Sequence, residues 1–280
     1  MASELSISCV HPGIGAWLVD GGRPGHRSLG IAGGGAADPT AQRTANRLLG
    51  QAPRSCCLEV YLHGGVWLLS GSGQIALGGA DMNWRLNGQP VDRYSVLYLE
   101  GDYLLAGRAA VAGCRAYLGV RGEWQLPRRL GSVEAGLPGV STVSAGFCVT
   151  VRAATETAFA NELVPAYQHG DTPLQLRVQP GPEWSWLSTD DQRQLLRQPL
   201  QTGRLGDRQG LRLCSTWAIP TLPAMISAPV LPGTVQLTPS GLILLGPDAQ
   251  TTGGYPRVLL VEKYQQAYQL RPGQWLSFTP

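Results

Sequence analysis

Residues 234–261, TVQLTPSGLILLGPDAQTTGGYPRVLLV, decide the reading of the fold. Three apolar runs, 234–237, 242–245 and 257–261, are rich in Val, Leu and Ile and are separated by Pro, Ser, Gly and Asp. Runs this short between turn-forming residues are strands rather than helices. The same punctuation continues outward along the chain, with further strands expected at 16–19, 66–69, 74–77, 84–86, 95–99, 115–120, 147–152, 174–179, 210–213 and 274–278. Gly (37) and Pro (21) together make about a fifth of the 280 residues, with no three-residue period, so turns are frequent. The pattern predicts a mainly β protein made of barrels or sandwiches.

Two stretches read as helices. In the first, Asp38 stands at the N-cap and Pro39 at the first helical position, Ala41, Ala45, Leu48 and Leu49 form an apolar stripe, and Gly50 stops the run. The second starts at Ser188 or Thr189, carries Asp190 and Asp191 in its first turn, and ends before Pro199. One helix falls in each half. Residues 153–171 are polar and lack alternation, which places a boundary there and predicts two β-rich domains, 1–165 and 166–280, each with a short helix.

Charge excludes several functions. Lys plus Arg (22) against Asp plus Glu (19) gives only +3, and Lys263 is the sole lysine, so no Lys-rich nucleic-acid surface is expected. No apolar run approaches the about 18 residues of a membrane helix. Residues 1–15 include Glu4 and no basic stretch before an apolar one, so no signal peptide is expected and the chain is placed in the cytoplasm. The six cysteines are dispersed without a C-x-x-C and are expected as reduced, buried structural thiols. The four histidines have no metal-ligand spacing, so no metal site is expected. There is no G-x-S-x-G elbow and no G-x-x-x-x-G-K-[ST] loop, and Lys263 lies outside any biotin-carrier setting.

Chemistry concentrates in glycine-dense turns. Asp20-Gly21-Gly22-Arg23-Pro24-Gly25-His26 puts opposite charges beside backbone that a ligand can approach closely. Two readings of it stand, an Asp20–Arg23 brace or a ligand cradle. Asp81 follows Gly78-Gly79-Ala80 at a strand end, as a turn residue or as a site residue. Gln250-Thr251-Thr252-Gly253-Gly254-Tyr255 gathers a carboxamide, two hydroxyls, a phenol and two glycine N–H groups, which suits a small polar molecule carrying a carboxylate, amide or carboxyl group. Arg208 and Arg212 offer guanidiniums that can fork onto a carboxylate, with an Arg208–Asp207 brace as the plainer reading.

In order along nearly the whole chain, these elements resemble allophanate hydrolase subunit 2, the biotin-dependent carboxyltransferase family that includes the C subunit of bacterial 5-oxoprolinase. The D-x-G-R-P-G turn is Asp20 to Gly25, and the G-G-A-x-D-x-x-A-x-x-x-A-N-x-L-x-G stretch runs from Gly34 through Asn46 to Gly50. Leu58-Glu59, Gly79-Ala80-Asp81 and the C-R-A-Y-L strand from Cys114 follow. Then come D-R-x-G-x-R from Asp207, the strand ending in Gln236, and Q-T-T-G-G-Y-P from Gln250. The resemblance implies two tandem cyclophilin-like β-barrels and a pocket with Asp20, Asp81, Arg208, Thr252 and Tyr255 as catalytic residues. Arg23, Asn46, Arg212, Gln236, Gln250, Thr251, Gly253 and Gly254 are implied to bind substrate.

The resemblance further implies partners: allophanate hydrolase subunit 1, the KipI-like B subunit, and an A subunit. ATP, or carboxybiotin, would be supplied through them, with no cofactor bound covalently. The implied activity is opening of the 5-oxoproline ring to glutamate. The alternatives are carboxyl transfer from biotin to urea or a related amide, and a regulatory role antagonising the kinase-inhibitor-like partner. The chain departs from the family pattern at Gly119 to Trp124, at Leu130-Gly131-Ser132-Val133-Glu134, where an Arg and a Thr are replaced, and at Ser227-Ala228. Loss of that Arg is expected to weaken the hold on an anionic group.

Overall fold

The computed structural model describes residues 4–139, 142–153, 172–223 and 225–280. They form two units. The first holds the described residues up to Gly22 and from Gly34 to Ala153, and the second holds Arg23–Gly33 with the described residues from Thr172 onward. The expected boundary at 165–166 lies outside the described residues. Segment Arg23–Gly33 is the surprise, because it precedes the first helix in sequence yet belongs to the second unit.

The first unit is an antiparallel sheet curled into a half-barrel. Its strands run in the order Gly15–Val19, Cys57–Tyr61, Ala112–Val120, His63–Asp81, Glu4–His11, Cys148–Arg152 and Glu123–Trp124. Val96–Ala109 pairs along most of His63–Asp81. Residues 66–69 and 74–77, read as two strands, are one: the chain passes through Gly71-Ser72-Gly73 without turning, because Val96–Ala109 pairs continuously past it. Strands Glu4–His11, Cys57–Tyr61 and Leu200–Gly206 were not foreseen. In the first of them Leu5, Ile7 and Cys9 alternate into the core, the period-two mark of a half-buried strand.

Ala112–Val120 is buried at all nine positions because both of its faces are covered. Ala116, Leu118 and Val120 join the main core with Trp67, Leu69 and Ile75, while Tyr117 joins Ala41, Ala45 and Cys57 beneath helix α1 (Pro39–Leu48). The side chain of Asp38 caps α1, accepting from Thr40 N at 3.0 Å and Ala41 N at 3.1 Å. The helix lies close to the sheet because Gly78 and Gly119 lack side chains; a Cβ on Gly78 would stand 2.9 Å from Ala41 O.

A buried carboxylate ties these parts together. Glu59 and Arg115 are both essentially inaccessible, and Arg115 Nη1 donates to Glu59 Oε1 at 3.1 Å. Glu59 Oε2 accepts from the Tyr117 hydroxyl at 2.8 Å and from Ala37 N at 2.9 Å. Tyr117 in turn accepts from Asp38 N at 2.8 Å. Arg115 also stacks over the Tyr61 ring, 4.5 Å from its centroid. Burial, with Glu59 beside it, raises the Tyr117 phenol well above its ordinary pKa, so it remains a donor.

The second unit contains a closed barrel in the order Leu174–Pro180, Arg257–Val261, Thr234–Thr238, Gly241–Leu245, Gly210–Cys214, Leu200–Gly206 and Trp275–Thr279. A parallel pairing of Leu174–Pro180 with Trp275–Thr279 closes it, leaving no strand edge in the ring. Helix α2 (Thr189–Arg197) starts where expected, Ser188 Oγ accepting from Asp191 N at 3.1 Å. Glu183 forks onto Arg257, at 2.9 Å to Nε and 2.7 Å to Nη2.

The cysteines are free, but only Cys9, Cys56, Cys57 and Cys114 are buried. Cys148 and Cys214 correct the expectation; the first opens strand Cys148–Arg152, the second closes Gly210–Cys214, and both are exposed. Among the described residues no helix is long and apolar enough to cross a membrane.

Two outcomes follow. Glu59→Gln keeps the shape but leaves Arg115 buried without its counter-charge, and should lower unfolding free energy by about 3 kcal/mol in a denaturant titration. Arg257 holds the Glu183 carboxyl below its ordinary value of 4.5. The pair's contribution is therefore complete above pH about 4.5 and is lost as pH falls through the lower folded-state value. Glu183→Gln should flatten that acid limb of the stability profile while leaving its slope unchanged above it.

Candidate functional site

Residues 246–256 bridge two barrel strands, and their backbone is tied down along its length. Gly246 N donates to Gln209 O at 2.8 Å and Asp248 N to Arg208 O at 3.1 Å. Thr251 O accepts from Val230 N at 3.0 Å, and Pro256 O from Leu237 N at 2.9 Å. Thr252–Gly253 forms a short antiparallel ladder with Ala228–Pro229. Gln236, buried, donates its amide to Tyr255 O at 3.2 Å, and the absence of a side chain at Gly253 gives that amide room. Ser227-Ala228, a departure from the family pattern, thus leads into the strand that backs Thr252 and Gly253.

The side chains of this loop are unspent. Gln250, Thr252 and Gly254 are exposed, Tyr255 is 47% exposed, and Thr251 and Gly253 are half-buried. The Gln250 amide, both threonine hydroxyls and the Tyr255 phenol make no side-chain hydrogen bond among the described residues. A rigid backbone presenting free donors and acceptors is suited to holding a small polar molecule.

Arg208 stands behind the loop. Its Nε and Nη2 fork onto Asp248 at 2.7 and 3.0 Å, and its side chain is 5% exposed. Asp248, rather than an open cleft, receives that fork, and Asp207 caps the turn through Gln209 N and Gly210 N. Arg212 does not join Arg208. Strand alternation turns Leu211 and Leu213 inward and Arg212 to the outer wall, where Nη1 donates to Ser240 Oγ at 3.0 Å.

Arg27 is a residue the sequence reading missed. Its Nη2 donates to Val230 O at 2.6 Å and to Gln250 O at 2.9 Å, so segment Arg23–Gly33 clamps the loop from behind. Its Nη1 is buried with no partner among the described residues. Burial lowers the Arg27 pKa and raises that of Tyr264, whose phenol feels Arg27, Arg208 and Asp248. No local pattern around Arg27 announces this role, because it depends on which unit the segment joins. Arg23, also buried, donates its backbone N–H to Gly33 O at 2.6 Å, closing the segment.

In the first unit the candidates lie in separate surroundings. Asp20, 4% exposed, accepts from Gly22 N at 2.9 Å, Ser132 Oγ at 2.6 Å, Val133 N at 3.0 Å and Arg128 Nη1 at 3.3 Å. Arg128 thus pairs with it. The divergent stretch Ser132-Val133-Glu134 is what holds Asp20, and Glu134 Oε1 accepts from Gly35 N at 2.7 Å. Asn46 is fully buried and donates to Ser55 O at 2.9 Å, bracing the loop after α1. Asp81 caps Asn83 N at 2.9 Å and lies 3.6 Å from Arg93, lining a cavity that does not include Asp20. Among the described residues no three His, Cys, Asp or Glu side chains gather as a metal site.

Residues 29–280 match the family model described as carboxyltransferase domain, subdomain A and B. The C subunit of 5-oxoprolinase from Escherichia coli strain K12 is 30% identical over 97% of this chain and 90% of its own length. A urea amidolyase of Lachancea kluyveri is 34% identical over 40% of this chain, though only 6% of its own length is matched. The crystal structure of TTHA0988 superposes with a TM-score of 0.83 at 28% identity and covers 98% of this chain. This chain spans only 55% of the length of that one.

Arg208→Lys keeps the charge behind the loop but cannot fork onto Asp248. It should cost about 2 kcal/mol of stability, the scale of one hydrogen bond to a charged group. Hydrogen exchange at residues 246–256 should accelerate, while exchange in the first unit stays unchanged.

Proposed function

Because the chain belongs to the family of carboxyltransferase domains with subdomains A and B, we propose that it is the C-type component of an ATP-dependent 5-oxoprolinase. Its relatives are enzyme subunits, and the C subunit of the E. coli 5-oxoprolinase aligns with almost the whole chain. The observation that carries the proposal is the loop at 250–256, whose backbone is anchored while its carboxamide, hydroxyl and phenol groups stay free.

5-Oxoproline has a carboxylate and a lactam. Hydroxyls and glycine N–H groups can donate to the carboxylate and to the lactam carbonyl, and the Gln250 carboxamide can pair with the lactam N–H. Thr252 and Tyr255 are assigned to the reacting amide, and Gln250, Thr251, Gly253 and Gly254 to holding the ring. Gln236 and Arg208 act from behind as positioning residues. Ring opening breaks the C–N bond, with a water-derived hydroxyl going to carbon and a proton to nitrogen, coupled to ATP hydrolysis. The sequence has no Walker-type phosphate loop, so ATP is assigned to partner subunits, a KipI-like B subunit and an A subunit in the cytoplasm.

The stretch shared with a urea amidolyase supports a second reading, carboxyl transfer to urea or a related amide. Mixing this chain with its A and B partners, 5-oxoproline and ATP should yield glutamate, and omitting this chain should abolish the yield. Avidin should have no effect. No stimulation by the chain defeats the proposal, and activity lost only on avidin treatment transfers the assignment to the carboxyltransferase reading.

A further inference from the structure

The exit of the 246–256 loop closes back on the loop's own support. Arg257 opens strand Arg257–Val261 directly after Tyr255-Pro256, and its guanidinium reaches across to Pro229, donating from Nη1 to the Pro229 carbonyl at 2.8 Å. Pro229 is the residue paired with Thr252 in the ladder between Ala228–Pro229 and Thr252–Gly253. That ladder is two residues long on each side, too short to keep its register unaided. Proline also has no N–H to add to it. Val230 is secured by burial beside Leu245 and Ala249 and by Arg27 on its carbonyl at 2.6 Å. Pro229, exposed at the step before, is held by Arg257.

Arg257 is itself aimed. The Glu183 carboxylate takes Nε at 2.9 Å and Nη2 at 2.7 Å, and it accepts the Arg257 backbone N–H at 2.9 Å as well. A guanidinium is planar, so fixing that edge fixes where Nη1 points. The two side chains are 17% and 10% exposed, Arg257 and Glu183 respectively, which leaves water little room to compete for the fork. Glu183 comes this near because Gly181 has no side chain; a Cβ there would collide with Arg257 O. Glu183 N donates to that same carbonyl at 3.3 Å.

We propose that Glu183 and Arg257 are positioning residues that set the place of Thr252. Glu183 aims Arg257, Arg257 holds the Pro229 carbonyl, and the strand so held keeps Thr252 in register; the pair acts through backbone, not on substrate. This role rests on the proposed function, which assigns Thr252 to the reacting amide. A displacement of about 1 Å in a group aligned to a reacting bond can cost about a hundredfold in rate. The loop then has separate holds, Arg208 on Asp248 near its start and Arg257 on the strand behind its middle.

A double-mutant cycle in the assembled complex, with 5-oxoproline and ATP, tests this together with amide hydrogen exchange on the isolated chain. Glu183→Gln offers one acceptor oxygen where the fork uses two, and Arg257→Lys has one nitrogen where Arg257 uses three. Each should lower kcat about tenfold or more. In a Thr252→Ala background the same substitutions should change the residual kcat about twofold or less, because the group they place is gone. Val178→Ala, in the barrel strand beside Arg257–Val261, is the stability control and should lower the melting temperature while leaving kcat unchanged. Exchange across 228–230 and 251–253, taken relative to strand Gly241–Leu245, should accelerate in Glu183→Gln and Arg257→Lys but not in Val178→Ala. An exchange ratio unchanged in both variants overturns the proposal, as does a kcat loss that is absent or that recurs in full on Thr252→Ala. A parent complex that makes no glutamate defeats the 5-oxoprolinase reading alone, and the exchange ratio then decides whether the pair holds Thr252.

Discussion

A carboxylate sealed from water is the constraint on which the first unit depends. Glu59 must find every hydrogen bond inside the protein, and it finds them on Arg115, Tyr117 and Ala37 N, which belong to the neighbouring strand and to the start of α1. Meeting one electrostatic requirement therefore sets the strand pairing, the point where the chain leaves the Gly33-Gly34-Gly35 stretch and the place of the Asp38 cap. A hydrophobic core alone tolerates sliding; a buried ion pair with directional partners does not.

The helices were legible because their signals are local. Asp38-Pro39, Gly50, Ser188 and Pro199 each act within one turn of their own position. The barrel strands of the second unit other than Leu200–Gly206 were legible for the same reason, being short and punctuated. Long-range relations were not. Gly71-Ser72-Gly73 reads as a turn, yet Val96–Ala109 pairs with His63–Asp81 straight past it and holds it extended. Cys57–Tyr61 carries Glu59 among apolar neighbours, and no local rule says that a lone acid there is paired with an arginine 56 positions on.

The candidate site divides along the same line. The loop at 250–256 was readable from its density of polar groups, and the structure adds why they are available: the backbone carries the bonds and the side chains are spared. Asp20, Asn46 and Arg208 were also readable as unusual, but their polar groups are committed to holding Gly22 and Val133, Ser55, and Asp248. Arg27 escaped notice because a guanidinium binding two carbonyls more than 200 residues away leaves no trace in local sequence.

The central claim is that the free side chains of the anchored loop act on substrate while the buried polar network only holds the fold. Thr252→Ala and Tyr255→Phe, assayed in the assembled complex alongside thermal melting of the isolated chain, test this most directly. The account predicts melting temperatures within about 2 °C of the parent, since exposed substitutions change stability by about 0.5 kcal/mol or less, together with loss of most turnover. Full turnover in both variants would contradict it.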